Sequence, residues 1–399
     1  MNAVIYIIDW ILFVPLAFCV SYLLFYAVAS RFYRSPQYPA ARKQHRFAVL
    51  FPAYREDRVI VNAVQSFLGQ EYPAELYDVI VISDQMQPAT NDALRQLPIH
   101  LLEADYTDSS KAKALVLAME HIAGDAYDIV VVMDADNITT SNFLSEMNRA
   151  YDFGLPAIQA RRTGKNLNTD VAMLDAVSEE INNGIFRSGH NAVGLSASLS
   201  GSGMAFEADW FQQNVRLLET AGEDKELEVL LLQQRIHTVY LPQIPIYDEK
   251  TQKEEAISNQ RKRWIAAQFG ILRSSLLSLP KAIGQGNPDY CDKILQWMLP
   301  PRLIQLAGVF GLTLVITIIG IWLSLQGTAT GHEWTIAVKW WILSAAQIAA
   351  MTLPIPGHLF NKQLGKAVLR IPMLALTTIG NLFKLKGAYK KFIHTEHGE

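Results

Sequence analysis

The chain predicts an α/β domain, a mostly parallel sheet with helices on both faces, joined to transmembrane helices at its N- and C-terminal ends. Three observations carry that prediction. From residue 47 onward, short apolar runs suited to strands alternate with helix-period segments, as in a parallel sheet covered on both sides. Two of those runs finish in carboxylates: Asp84 after one, Asp134 and Asp136 after the other. The hydrophobic content of 50% is also concentrated, with long uncharged stretches at the two ends of the chain.

Residues 5–29 are almost wholly apolar and long enough to span a bilayer. No basic residue precedes them, and the run exceeds a typical signal-peptide core, so an anchor over 1–30 is expected rather than a cleaved leader. Arg31, Arg34, Arg42, Lys43 and Arg46 follow and place the next domain, 31–264, on the cytosolic side of the membrane, the inner or plasma membrane in a bacterium.

Within that domain Phe47-Ala48-Val49-Leu50-Phe51 reads as a strand that ends at Pro52-Ala53-Tyr54-Arg55-Glu56-Asp57. A helix follows with Val59, Val61, Ala63, Val64 and Phe67 on its apolar face. Val79 to Asp84 is a second strand, 110–122 a helix and 129–133 a third strand. Ligands of such sheets sit beyond the carboxyl ends of the strands, so Asp84, Asp134 and Asp136 share one rim. Any one of them can merely end a strand, because aspartate favours turns. Two carboxylates at i and i+2 are costly without a cation between them. Hard Mg²⁺ or Mn²⁺ suits their oxygens and shares them with substrate phosphates.

Further on, Gly201-Ser202-Gly203 is a small-residue turn where a substrate can approach the backbone. Gly222-Glu223-Asp224 opens a helix, where acids are also common for dipole reasons alone. Gln260-Arg261-Lys262-Arg263-Trp264 precedes Ile265, Phe269, Leu272, Leu276 and Leu279, a spacing for amphipathic helices on the membrane surface over 265–302. Two transmembrane helices are expected in 303–357, the second shorter and interrupted by Pro354 and Pro356. Segment 358–399 is basic, with an apolar patch at 371–383 that reads as interfacial or re-entrant, the alternative being a fourth span that would put the C-terminus outside. A net charge of −3 gives no electrostatic case for nucleic acid, and Cys19 and Cys291 make neither a disulfide framework nor a zinc site.

Taken in order, these residues resemble the inverting, membrane-embedded family-2 glycosyltransferases with a GT-A fold, the group of cellulose, chitin, hyaluronan and ceramide glucosyl synthases. Pro52-Ala53-Tyr54-Arg55-Glu56 is similar to that family's opening nucleotide loop and Asp84 to its uracil-side aspartate. Lys111-Ala112-Lys113 resembles the lysine-led segment before the metal motif, and Asp134-Ala135-Asp136 the motif itself. Gly201-Ser202-Gly203 resembles the acceptor-side turn, Glu223-Asp224 the pair whose aspartate is the general base, and Gln260-x-x-Arg263-Trp264 the Q-x-x-R-W signature. Three positions depart from the pattern: Arg55 stands for the usual Asn, Val116 for a common Asn, and Gly222 for the Thr often found before the acidic pair.

The resemblance implies an enzyme that moves a sugar from a nucleotide sugar, a UDP-sugar first of all, with Mg²⁺ or Mn²⁺ held by Asp136 and Asp134. Pro52, Tyr54, Glu56 and Asp84 would grip the nucleoside. Lys111, Gly203, Gln260 and Trp264 would line the substrate path, and Asp224, Glu223 and Arg263 would carry the chemistry. A lipid or lipid-linked glycan acceptor is expected ahead of a processive polysaccharide synthase, since a polymer channel needs more spans than one such chain offers. A homo-oligomer or an accessory subunit would change that balance. A nucleotidyltransferase would need a triphosphate loop that Pro52-Ala53-Tyr54 does not supply. A silent subunit would not be expected to keep this set of acids with Arg263 and Trp264.

Overall fold

The computed structural model describes residues 3–382 apart from positions 221, 253 and 330. Eight strands form one sheet: β1 (Phe47–Tyr54), β2 (Tyr77–Asp84), β3 (His100–Ala104), β4 (Ile129–Val132), β5 (Ile138–Thr139), β6 (Ala157–Gly164), β7 (Met204–Glu207) and β8 (Thr238–Asp248). Their order is β3-β2-β1-β4-β7-β6-β8-β5. The β3-β2-β1-β4 half is wholly parallel, whereas β7 runs antiparallel to both β4 and β6, and β8 is parallel to β6.

The continuous apolar run at 129–133 has a physical reason. Ile129, Val131 and Met133 enter the core on one face, and Val130 and Val132 enter the core on the other, so every residue of β4 is buried. Helix Ile60–Phe67 covers the first face with Ile60, Ala63, Val64 and Phe67. Helix Lys111–His121 covers the second with Leu115 and Ala118, and Ser110 Oγ caps it by accepting from the Lys113 N–H at 3.2 Å.

Helix Ala3–Ser30 packs with Arg302–Leu325 and His332–Thr352 around Val20, Val309, Ile336, Trp340 and Leu343. Among the described residues, two helices, Tyr6–Ser30 and Arg302–Leu325, are long and apolar enough to cross a membrane. The segment expected as a further span in 303–357 is helix His332–Thr352, which carries Glu333 and Lys339 and is not among those two. Lys339 pairs with the buried Asp9 of the first helix, and the Trp340 Nε1–H donates to Asp9 Oδ1 at 2.8 Å. The patch at 371–383 is the helix Ile371–Leu382, and Phe383 with the tail beyond it lies outside the described residues.

The α/β domain rests on these helices through the π-helical turn Asn183–Gly189. A Cβ on Gly189 would stand 2.3 Å from the Tyr26 carbonyl oxygen, and one on Gly184 would stand 2.3 Å from Pro354 Cβ. Only glycine permits that approach. Asp292 completes the joint by accepting from Tyr22 Oη at 3.1 Å and Tyr26 Oη at 2.8 Å, with His190 Nε2 2.9 Å away.

Candidate active site

The parallel register brings Tyr54 opposite Asp84, so the loops after β1 and β2 leave the sheet side by side. Both turn through left-handed backbone, at Arg55 (φ 55°) and Gln85 (φ 54°). Strain at two adjacent non-glycine positions persists only where surroundings hold it, and such sites cluster around ligands. Here Gln85 Oε1 accepts from Arg55 Nη2 at 2.6 Å and Gln85 Nε2 donates to the Tyr106 carbonyl at 2.9 Å. Arg55, a departure from the family pattern, is thus the clamp that ties the two loops together. Behind them, burial pushes the Asp84 carboxyl above the usual carboxylate range, against the pull of Ser109, the Tyr106 backbone and Arg55. Its Oδ1 is buried without a hydrogen-bond partner.

At the end of β4, Asn137 Oδ1 accepts from the Asp134 N–H at 2.9 Å and folds the Asp-x-Asp turn. Lys111, at the first turn of its helix, reaches into this turn. Its Nζ lies 2.5 Å from Asp134 Oδ1, 2.6 Å from the Gly201 carbonyl and 3.5 Å from Glu223 Oε1. Burial alone would lower the Lys111 pKa, but Asp134 and Glu223 raise it and keep the ammonium charged. Asp136 accepts from Asn137 Nδ2 at 3.1 Å and from the Glu249 N–H at 2.8 Å.

Gly203 is fixed by geometry. Its φ is +59°, and a Cβ would fall 1.6 Å from Ile246 Cδ1. Gly222 lies where helix Glu223–Gln233 crosses helix Glu254–Ser275, and a Cβ there would meet Ala267 Cβ at 3.0 Å. The glycine in place of threonine therefore lets the acidic pair approach the Arg263 helix closely. Burial pushes the Glu223 carboxyl up; the Lys111 charge opposes that and the Asp224 charge adds to it. Asp224 Oδ2 lies 3.4 Å from Lys225 Nζ. Burial lowers the Arg263 pKa while Glu223, Asp134 and Asp224 pull the other way, which puts all four groups within electrostatic reach. Gln260, Arg263 and Trp264 sit inside the helix Glu254–Ser275, so the boundary expected at 264 falls within one element.

The structure thus gathers Lys111, Asp134, Glu223, Asp224 and Arg263, while Pro52, Tyr54, Glu56 and Asp84 stand along the neighbouring strand ends. It also adds residues with no motif to announce them. Arg162 of β6 lies 2.8 Å from Asp248 Oδ2 and 4.0 Å from Asp134, and Lys250 lies 3.0 Å from Asp248. The available signal was a pair of arginines ending one strand and Asp248-Glu249-Lys250 ending another.

A cavity of about 1360 Å³ opens beside Asp224. Its walls run from Arg162, Asp224 and Trp264 to Leu303, Phe310, Met351 and Leu374 on the apolar helices.

Among the described residues, no three His, Cys, Asp or Glu side chains gather as a metal-holding group. Asp134 and Asp136 nevertheless suit a hard cation. Mg²⁺ is commonly held by one or two carboxylates together with substrate phosphates and water, and each engaged carboxylate oxygen keeps a second lone pair.

A GT-A sheet with an acid-lined rim and an Arg-Trp helix beside it defines a nucleotide-sugar-dependent glycosyltransferase. The sequence matches the family described as "Glycosyltransferase like family 2" over residues 45–267, and the chain belongs to that family. It is 24% identical over 330 residues to an N-acetylglucosaminyltransferase of Neorhizobium galegae, covering 76% of this chain and 68% of that protein. The fold is similar to the mannosyltransferase PcManGT of Pyrobaculum calidifontis, solved with GDP-Man and Mn²⁺. The TM-score is 0.54 at 17% identity, covering 84% of this chain and 96% of that one.

Proposed function

We propose that this glycosyltransferase is membrane-bound and inverting, and that it moves a sugar from a nucleotide sugar, a UDP-sugar first of all, to a membrane lipid or lipid-linked glycan. The carrying observation is the cavity that joins Asp224 and Trp264 to the aliphatic walls of the apolar helices. An extruded polysaccharide would need hydrogen-bond partners for its hydroxyls all along the way, and a wall that is mostly apolar offers few. That supports the lipid acceptor over polymer synthesis.

The proposed steps use this chain's own residues. The free Asp84 Oδ1 accepts from the nucleobase, while Pro52, Tyr54 and Glu56 border the nucleoside. Lys111 and Arg263 face the diphosphate as fixed cations. Asp136 and Asp134 would hold Mg²⁺ or Mn²⁺, a reading supported by the Mn²⁺ complex of the Pyrobaculum calidifontis mannosyltransferase; the ion would offset charge on the leaving diphosphate. The acceptor oxygen attacks the anomeric carbon, the bond to the phosphate oxygen breaks with its electron pair, and Asp224 takes the hydroxyl proton. Glu223 keeps Lys111 charged, Gly203 leaves room for the backbone approach, and Gln260 and Trp264 line the acceptor side. One base without a carboxylate nucleophile fits single displacement.

The domain plan is proposed accordingly: an anchor at 1–30, a cytosolic catalytic domain over 31–264, interfacial helices over 265–302, membrane helices in 303–357 and a basic terminal segment. The test is nucleotide release from a panel of UDP- and GDP-sugars by the full chain in lipid, with and without Mg²⁺ or Mn²⁺. Metal-dependent release from one donor, with a chloroform-soluble product, supports the assignment. A high-molecular-weight water-soluble product would replace it with polymer synthesis.

A further inference from the structure

Resting on the lipid-acceptor reading, we propose that the cavity takes a lipid whose head carries a phosphate, held between Arg261 and Arg302. Most charged groups of the cavity wall are already matched. Glu179 pairs with Arg187 at 2.7 Å, Asp224 with Lys225 at 3.4 Å, Arg162 with Asp248 at 2.8 Å and Glu228 with Lys293 at 3.2 Å. Among the described residues, neither Arg261 nor Arg302 has a carboxylate within 4.0 Å.

Arg302 Nη2 donates to the Ser178 carbonyl at 3.3 Å and to Ser178 Oγ at 3.0 Å, while its Nη1 is buried with no partner. A buried guanidinium nitrogen left without an acceptor is costly unless a ligand supplies one. Arg261 is close enough for its charge to bear on Arg302. Burial lowers its own pKa, with only the more distant Asp175, itself pushed up by burial, pulling the other way.

Position narrows the ligand further. Arg302 is the first residue of an apolar helix of 24 residues, so it stands where a bilayer's head groups begin. Leu306, Phe310 and Met351 line the same cavity as Arg302, and so does Asp224. A neutral lipid or a glycan would leave two guanidiniums uncompensated. A phosphate offers both of them charged acceptors in the forked geometry arginine favours.

The test uses the full chain in micelles of the phosphate-free detergent dodecyl maltoside, with binding of farnesyl phosphate, farnesol and inorganic phosphate followed by calorimetry. Farnesyl phosphate is expected to bind at least roughly tenfold tighter than farnesol, as a charge-assisted contact implies. Arg261→Gln and Arg302→Gln should each shrink that preference, with Arg302→Lys keeping part of it. UDP binding, read in parallel, reports that each variant is folded. Equal binding of farnesol, or a preference that neither substitution moves, overturns the phosphate site but leaves the lipid acceptor standing. Binding of neither isoprenoid overturns both. Inorganic phosphate binding as tightly as farnesyl phosphate overturns the lipid part and leaves a bare anion site.

Discussion

The carboxylate-lined strand ends and the cavity beside Asp224 are built by opposite means. On the rim, charged and polar groups are tied to one another across the loops: Asp134 has Lys111, Asp136 has the Glu249 N–H, and Gln85 has Arg55. The strands hold those groups in register before any ligand arrives. In the cavity, Arg302 Nη1 and Gln305 Oε1 are buried without partners, and the wall is mostly apolar. A nucleotide has fixed stereochemistry and rewards a preorganised frame. A lipid tail asks only for apolar volume, and its head for a few charges at the right depth.

Four substitutions sharpen that contrast, beginning with the largest effect. Asp224→Asn should cut transfer by about 10²–10⁴-fold while the nucleotide dissociation constant stays nearly constant. Single-turnover assay with parallel calorimetry reads both, and a matching loss of nucleotide binding would move Asp224 from base to donor frame. Lys111→Met should remove the cation shared by Asp134, Glu223 and the Gly201 carbonyl, costing about 3 kcal/mol of stability in thermal or denaturant unfolding. An unchanged midpoint would mean the rim is not preorganised by that contact.

Asp84→Asn should weaken nucleotide binding by about 1.5–3 kcal/mol, the value of a hydrogen bond to a charged group. The pH profile adds a sign. Because burial raises the Asp84 pKa, its carboxylate is lost on acidification earlier than that of a free aspartate. Nucleotide affinity should therefore be full at neutral pH, fall as pH drops, and do so before the ordinary range near 4 is reached. In the Asn variant that slope should flatten. Smallest is Gly222→Ala, where the new methyl presses on Ala267; about 1 kcal/mol is expected from mild overpacking. Its effect should appear in kcat rather than nucleotide affinity, since it shifts Asp224 against Arg263.

Much of the rim was legible because its signals are local. Asp84 and the Asp134-Ala135-Asp136 turn end apolar runs, and a run buried on both faces announces a central parallel strand. Ser110 marked the start of the Lys111 helix. Lys111 was visible as a motif residue, but its partners Gly201 and Glu223 lie far along the chain. The helix His332–Thr352 was harder to place, because Lys339 looks like a terminus until Asp9 is seen to neutralise it from the first helix.

By itself the sequence determined the order of strands and helices, the carboxylate-lined strand ends, the apolar helices at both ends and the family to which the chain belongs. Those follow from periodicity, run length and short motifs, which depend on neighbours a few residues apart. Only the tertiary structure decided that Arg162 meets Asp248, that Gly222 is the crossing point of two helices, and that Arg261 and Arg302 share one cavity. A local pattern says whether a side chain prefers burial. Which distant charge or methyl group it then meets is set by how the whole sheet and its helices pack.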